Sequence, residues 1–92
     1  MDDPPEAPGL FALPDPAEQE RMVEALLFAS ADPLSAADLA ARMPRGCDPA
    51  AALAALGRRY EGRGVVLMRL GGGWALRTAP DLAWMMRQGA VE

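Results

Sequence analysis

Apolar residues recur along the chain at two spacings, and the change from one to the other divides it into helices and a hairpin. Met22, Val23, Leu26, Leu27 and Ser30 fall on one stripe at helical spacing. Asp15 precedes them as an N-cap, with Pro16 at the first helical position and Glu18 three residues after the cap. Pro33 disfavours helical backbone at the residue before it, so this helix is expected to stop in Ala31-Asp32-Pro33. Leu34 then suits a very short extended link. Ser35 is expected to cap a second helix with Asp38 in the capping-box position, and Leu39 and Met43 face inward. Pro44 and Gly46 end it.

A third helix is expected from Asp48 as cap and Pro49 at the first position, with Leu53, Leu56 and Tyr60 at spacings of three and four. Gly62 and Gly64 release the chain. Val65 to Leu70 is β-prone, Gly71-Gly72-Gly73 makes a tight reversal, and Trp74 to Thr78 returns as a second strand. Thr78 is expected to cap a last helix, with Asp81 three residues on, Leu82, Met85 and Met86 on one face and Gly89 at its end. Helix, extended link, helix, helix and hairpin is the order of a winged helix-turn-helix, a mainly α fold with a small β-hairpin, in which the third helix occupies the reading position and the hairpin is the wing.

Ahead of this pattern, residues 1–14 place Pro4, Pro5, Pro8 and Pro14 among acids and small residues, a composition that favours extended, solvated chain. The expected divisions are an acidic, proline-rich tail over 1–14, the winged-helix domain over 15–89, and a C-terminal end over 90–92. Ninety-two residues bury little surface, so self-association or a partner is expected on size alone.

Charge alters the functional picture. The formal net charge is -4, and six acids without a base lie in residues 1–20, whereas nine arginines face seven acids from Arg21 onward. A mildly basic body lacks the large basic excess of phosphate-dominated binding. The single cysteine, Cys47, cannot close an intramolecular disulfide, and the N-terminus has neither the positive region nor the apolar core of a signal peptide. A cytoplasmic protein with no membrane span is expected.

The chain has no His and no Lys, and no hydroxyl or thiol stands in a recognisable arrangement with a base. Ser35 and Thr78 are explained as caps, the triple glycine as a hairpin turn, and the carboxylates show no metal-ligand spacing. No enzyme, cofactor or metal site is therefore expected. Arg58, Arg59, Arg63, Arg69 and Arg77 cluster in the third helix and wing and can meet phosphates weakly. Base readout needs donors and acceptors at the start of the reading helix, where this chain has Asp48, Pro49, Ala50, Ala51 and Ala52. A winged-helix transcription regulator is thus the alternative, disfavoured by that donor-poor helix start.

Apolar residues beyond the needs of a small core point to a protein interface. Phe28 faces nearly opposite the first helix's stripe, beside Arg21 and Glu24, and is open to cover by another element of the domain or by a partner. Trp84 leaves the face formed by Leu82, Met85 and Met86, and methionine-rich helix surfaces adapt well to partners. Val65 to Met68 is apolar on both faces of the hairpin. Phe28, Leu82, Trp84, Met85 and Met86 are the candidate interface residues.

Four passages carry a family resemblance: EALLFAS in the first helix, PLS leading into the second, YEGRGVVL, and the glycine-rich turn before WALRT. Over about Arg21 to Gln88, with the third helix loosely matched, the chain resembles the N-terminal domain of segregation and condensation protein B. The resemblance implies a non-enzymatic protein of two successive winged-helix domains. Such a protein dimerises largely through the first domain and binds the kleisin, segregation and condensation protein A. Through the kleisin it joins an SMC ATPase in chromosome condensation and segregation at the nucleoid. The chain ends near where the first domain would end, so the second domain is expected to be absent from it.

Overall fold

The computed structural model describes residues 13–87, in which four helices and a two-stranded hairpin follow the predicted order. Helix α1 (Pro16–Ala29) begins where Asp15 accepts the Glu18 N–H at 2.8 Å, satisfying a donor that the first turn leaves free. It ends at Ser30, whose extended backbone breaks the helix and whose hydroxyl donates to the Asp32 carbonyl at 2.7 Å. Helix α2 (Ala36–Arg42) has the complete capping box: the Ser35 hydroxyl accepts the Asp38 N–H, and the Asp38 carboxylate accepts the Ser35 N–H. Helix α3 (Pro49–Arg59) starts with Asp48 accepting the Ala51 N–H at 3.1 Å.

Strands β1 (Val65–Leu70) and β2 (Gly73–Thr78) pair antiparallel, with Leu67 opposite Leu76 and Leu70 opposite Gly73. The second strand therefore begins one residue earlier than predicted, and Gly71-Gly72 alone makes the turn. Gly71 is left-handed at φ +59°, a conformation glycine adopts at little cost. The extended link is tied to the wing: the Leu34 N–H donates to the Trp74 carbonyl at 2.9 Å, and the Trp74 N–H donates to the Leu34 carbonyl at 2.8 Å. Gly73 makes this approach possible, because a Cβ there would stand 2.9 Å from the Pro33 Cβ and 3.1 Å from the Leu34 backbone.

The core lies where α1, α2 and α3 converge. Val23 and Leu27 meet Leu39, Met43, Ala52, Leu53 and Leu56, and Leu67, Trp74 and Leu76 close it from the wing. Ala52 is small enough to let another element approach α3 closely. The side chain of Gln19 sits on the same stripe, one turn before Val23, and is buried with both ends bonded. Its Oε1 accepts the Asp48 N–H at 2.8 Å, and its Nε2 donates to the Pro14 carbonyl at 2.8 Å.

Two expectations at the ends change. Thr78 does not cap the last helix, because it is held in the β ladder opposite Val65; a 3-10 turn over Pro80–Leu82 follows Ala79, and helix α4 is Ala83–Arg87. The Ala79 N–H is already spent on the Gly64 carbonyl at 2.8 Å. Within the predicted tail, Pro14 is half-buried and Leu13 lies against Gly46, the left-handed turn residue between α2 and α3. Residues 1–12 of the predicted tail, the end of the last helix at Gly89, and residues 90–92 lie outside the described residues.

Candidate protein-interaction surface

Helix α1 has two working faces. Its inner side carries Gln19, Glu20, Val23 and Leu27 against α3 and the core. On its outer side, Arg21, Glu24, Ala25 and Phe28 recur at spacings of three and four and so share one stripe. Phe28 is 83% exposed. No element of the described domain covers it, which corrects the alternative that its own fold would do so.

Beside Phe28 the surface is concave. Leu27, Phe28, Tyr60, Val65 and Leu76, with Ser30, Arg77 and Thr78 at the rim, enclose an open groove of about 510 Å³. Arg21, Glu24, Ala25, Phe28, Tyr60 and Leu76 line an adjoining hollow of about 460 Å³. Val65, at 43% exposure, continues the apolar surface onto the wing. Folding brings together residues from α1, the end of α3 and both strands. Sequence reasoning singled out Phe28 but missed Tyr60, which it placed on the apolar stripe of the third helix, and Leu76, and both are only half covered.

The groove floor is held by a polar contact. The Tyr60 hydroxyl donates to the Glu24 carboxylate, and this bond to an anion, with burial second, raises the phenol above its ordinary pKa. The Arg63 guanidinium lies 6.0 Å from the Tyr60 ring centroid. One turn earlier on α1, Glu20 is buried and accepts from Arg59, and that hydrogen bond holds the Glu20 carboxyl below its usual range and Arg59 above its own. These two links clamp α1 to α3.

The candidate phosphate-contacting arginines are thus unequally available. Arg59 is committed to Glu20, Arg69 lies 5.3 Å from the Trp74 ring, and Arg77 donates to the Ala31 carbonyl at 3.3 Å. Arg63 sits in the loop between α3 and β1, and Arg58 is exposed at the end of α3. Along the exposed side of α3 the chain presents Ala50, Ala51 and Ala54, which offer nothing to base edges.

The remaining candidates form a second surface. Trp84 and Met86 are 48% and 50% exposed, whereas Leu82 and Met85 are half-buried, and Leu82 packs towards Gly64. Helix α4 itself rests chiefly on the preceding 3-10 turn. Among the described residues no group of three or more His, Cys, Asp or Glu gathers as a metal site, and no helix is long and apolar enough to cross a membrane.

The order of elements, the Leu34–Trp74 bridge and the hairpin define a winged helix-turn-helix domain. Its charges are spent largely on internal contacts, and its exposed apolar residues are not. The chain belongs to the family of segregation and condensation complex subunit ScpB, whose model matches residues 21–92. A structure of a dimer of ScpB N-terminal domain complexed with ScpA peptide is 32% identical, with a TM-score of 0.68 over 78% of this chain and 94% of that one. ScpB from Mycobacterium tuberculosis is 28% identical with a TM-score of 0.72, covering 88% of this chain and 55% of that chain. A conserved hypothetical protein from Chlorobium tepidum is 29% identical with a TM-score of 0.69, covering 79% of this chain and 48% of that chain. The chain therefore spans about half the length of the last two proteins. Comparison with curated proteins gave no match.

Proposed function

We propose that this chain is a non-enzymatic interaction subunit of a bacterial SMC–kleisin condensin, acting in chromosome condensation and segregation by forming homodimers and binding the kleisin. Membership of the ScpB family over residues 21–92 carries this reading. The similar N-terminal domain, seen as a dimer with an ScpA peptide, supports both partners. The exposed apolar surfaces around Phe28 and on α4 are the places where such partners would gain most, since burying one large apolar side chain is worth roughly 1.5 to 3 kcal/mol. The winged-helix unit over 15–89 would act in the cytoplasm and reach the nucleoid through the kleisin and its SMC ATPase. The absence of donors along the start of α3 disfavours a sequence-reading transcription regulator.

Titration calorimetry with the central segment of the cognate kleisin tests the assignment. Saturable binding is expected. Heats no larger than dilution, across concentrations that keep the chain folded, would defeat the kleisin reading.

A further inference from the structure

A small hollow lies where the start of α1 meets α3. Pro16, Gln19, Asp48, Ala51, Ala52 and Ala55 enclose about 180 Å³ there, too little for a typical small-molecule ligand and enough for one aromatic side chain. Both ends of the Gln19 amide are bonded, and the exposed Asp48 carboxylate accepts the Ala51 N–H. The wall leaves no buried polar group waiting for a partner, and its alanine methyls favour an apolar occupant.

The chain itself brings one to the rim. The Pro14 carbonyl is held by Gln19, and Leu13, the first described residue, lies against Gly46 with 57% of its surface still exposed. Phe11 stands two residues upstream, within about 7 Å of Leu13 along the backbone. We propose that the N-terminal segment folds back on α3, with Phe11 seated in the hollow and Glu6 set against Arg58, so that the chain masks its own reading helix.

Spacing and charge set the direction. Ala51, Ala55 and Arg58 follow one another at four and three residues, so exposed Arg58 ends the stripe that floors the hollow. The proline-rich stretch from Glu6 to Phe11 spans about 16 Å when extended. One helical turn from Ala55 to Arg58 rises about 4.5 Å, and the Arg and Glu side chains close the remainder. Asp2 and Asp3 prolong the acidic end, and residues 1–12 contain no Arg or Lys. An ion pair at such a surface contributes little, so Phe11 carries the contact and the acids orient it. A winged helix meets nucleic acid with this helix; here an acidic segment of the same chain takes that position.

Thiol protection on the full chain tests the masking. In a Cys47→Ser background, Ala51→Cys puts a reporter on the floor of the hollow, and Ala50→Cys puts one on the opposite, exposed side of α3. Adding Phe11→Ser should speed reaction of the thiol at position 51 with a small aromatic disulfide by about tenfold or more, the factor that burial of one large apolar side chain sustains. The rate at position 50 should not move, and helical circular dichroism should be retained. Because the same thiol is compared with and without Phe11, its own acidity cancels. Glu6→Gln should give a smaller acceleration of about twofold, and no change there would remove the register along α3. Equal rates at position 51 with and without Phe11→Ser would overturn the inference. Protection that grows with protein concentration, or arises only when a kleisin segment is added, would give the hollow another occupant and overturn it as well.

Discussion

Replacing Gly73 by alanine should detach the wing from the helices. The Cβ would lie 2.9 Å from the Pro33 Cβ and 3.1 Å from both the N and C atoms of Leu34, so backbone rather than a flexible side chain has to give way. The simplest relief is separation of β2 from the link between α1 and α2. That separation breaks the two Leu34–Trp74 backbone hydrogen bonds, each worth about 1 kcal/mol net. It also loosens Trp74 and Leu34 from the edge of the core. A loss of about 2 to 3 kcal/mol is expected from these terms. At about 4 to 8 °C per kcal/mol for a domain of this size, the melting temperature should fall by roughly 10 to 20 °C. Thermal unfolding followed by far-ultraviolet circular dichroism measures it. Gly72→Ala is the comparison, since a Cβ there meets nothing within 4 Å. Equal melting of the two variants would refute the claim that close approach, rather than turn flexibility, requires Gly73.

Three further outcomes follow from the caps, the clamp and the arginines. Ser35→Ala removes the hydroxyl that accepts the Asp38 N–H and should cost about 1 kcal/mol in chemical denaturation; no change in midpoint would show that the capping box is dispensable. Glu20 is held below its usual pKa by Arg59, so its contribution is complete above the unfolded carboxylate value of about 4.3 and is lost as pH falls through the lower folded value. Glu20→Gln should therefore flatten the decline of stability below about pH 4.3, and an unaltered slope would assign that decline to other groups. Binding to random duplex DNA should be weak, indifferent to sequence and lost with salt, because exposed Arg58 can meet phosphates while α3 presents alanines. Anisotropy titrations across a salt series would contradict this by showing tight selection of one duplex.

Local chemistry was the most legible part of the chain. Asp15, Ser35 and Asp48 could be assigned as caps because a cap depends on residues within three positions of it. Thr78 carries the same signature and fails, since the β ladder with Val65 claims its backbone first. The extended link at Leu34 was visible from Pro33, but its partner Trp74 lies forty residues away and is chosen by packing. Non-local polar pairs were likewise hidden. Gln19–Asp48 and Glu20–Arg59 span 29 and 39 positions. A trace of the first was present, because Gln19 stands on the apolar stripe one turn before Val23, where a polar side chain needs a buried partner. The helical angle of Phe28 was readable, whereas its exposure and the hollow beside it depend on where Tyr60 and Leu76 come to rest.

The central claim is that the chain works by assembling with itself and with a kleisin. Light scattering coupled to size exclusion, on the chain alone and with the kleisin's central segment, tests it most directly. The chain of 9.7 kDa should elute at about twice that mass, and the mass should rise further by the segment bound. A species of 9.7 kDa that the kleisin segment leaves unchanged would contradict the account.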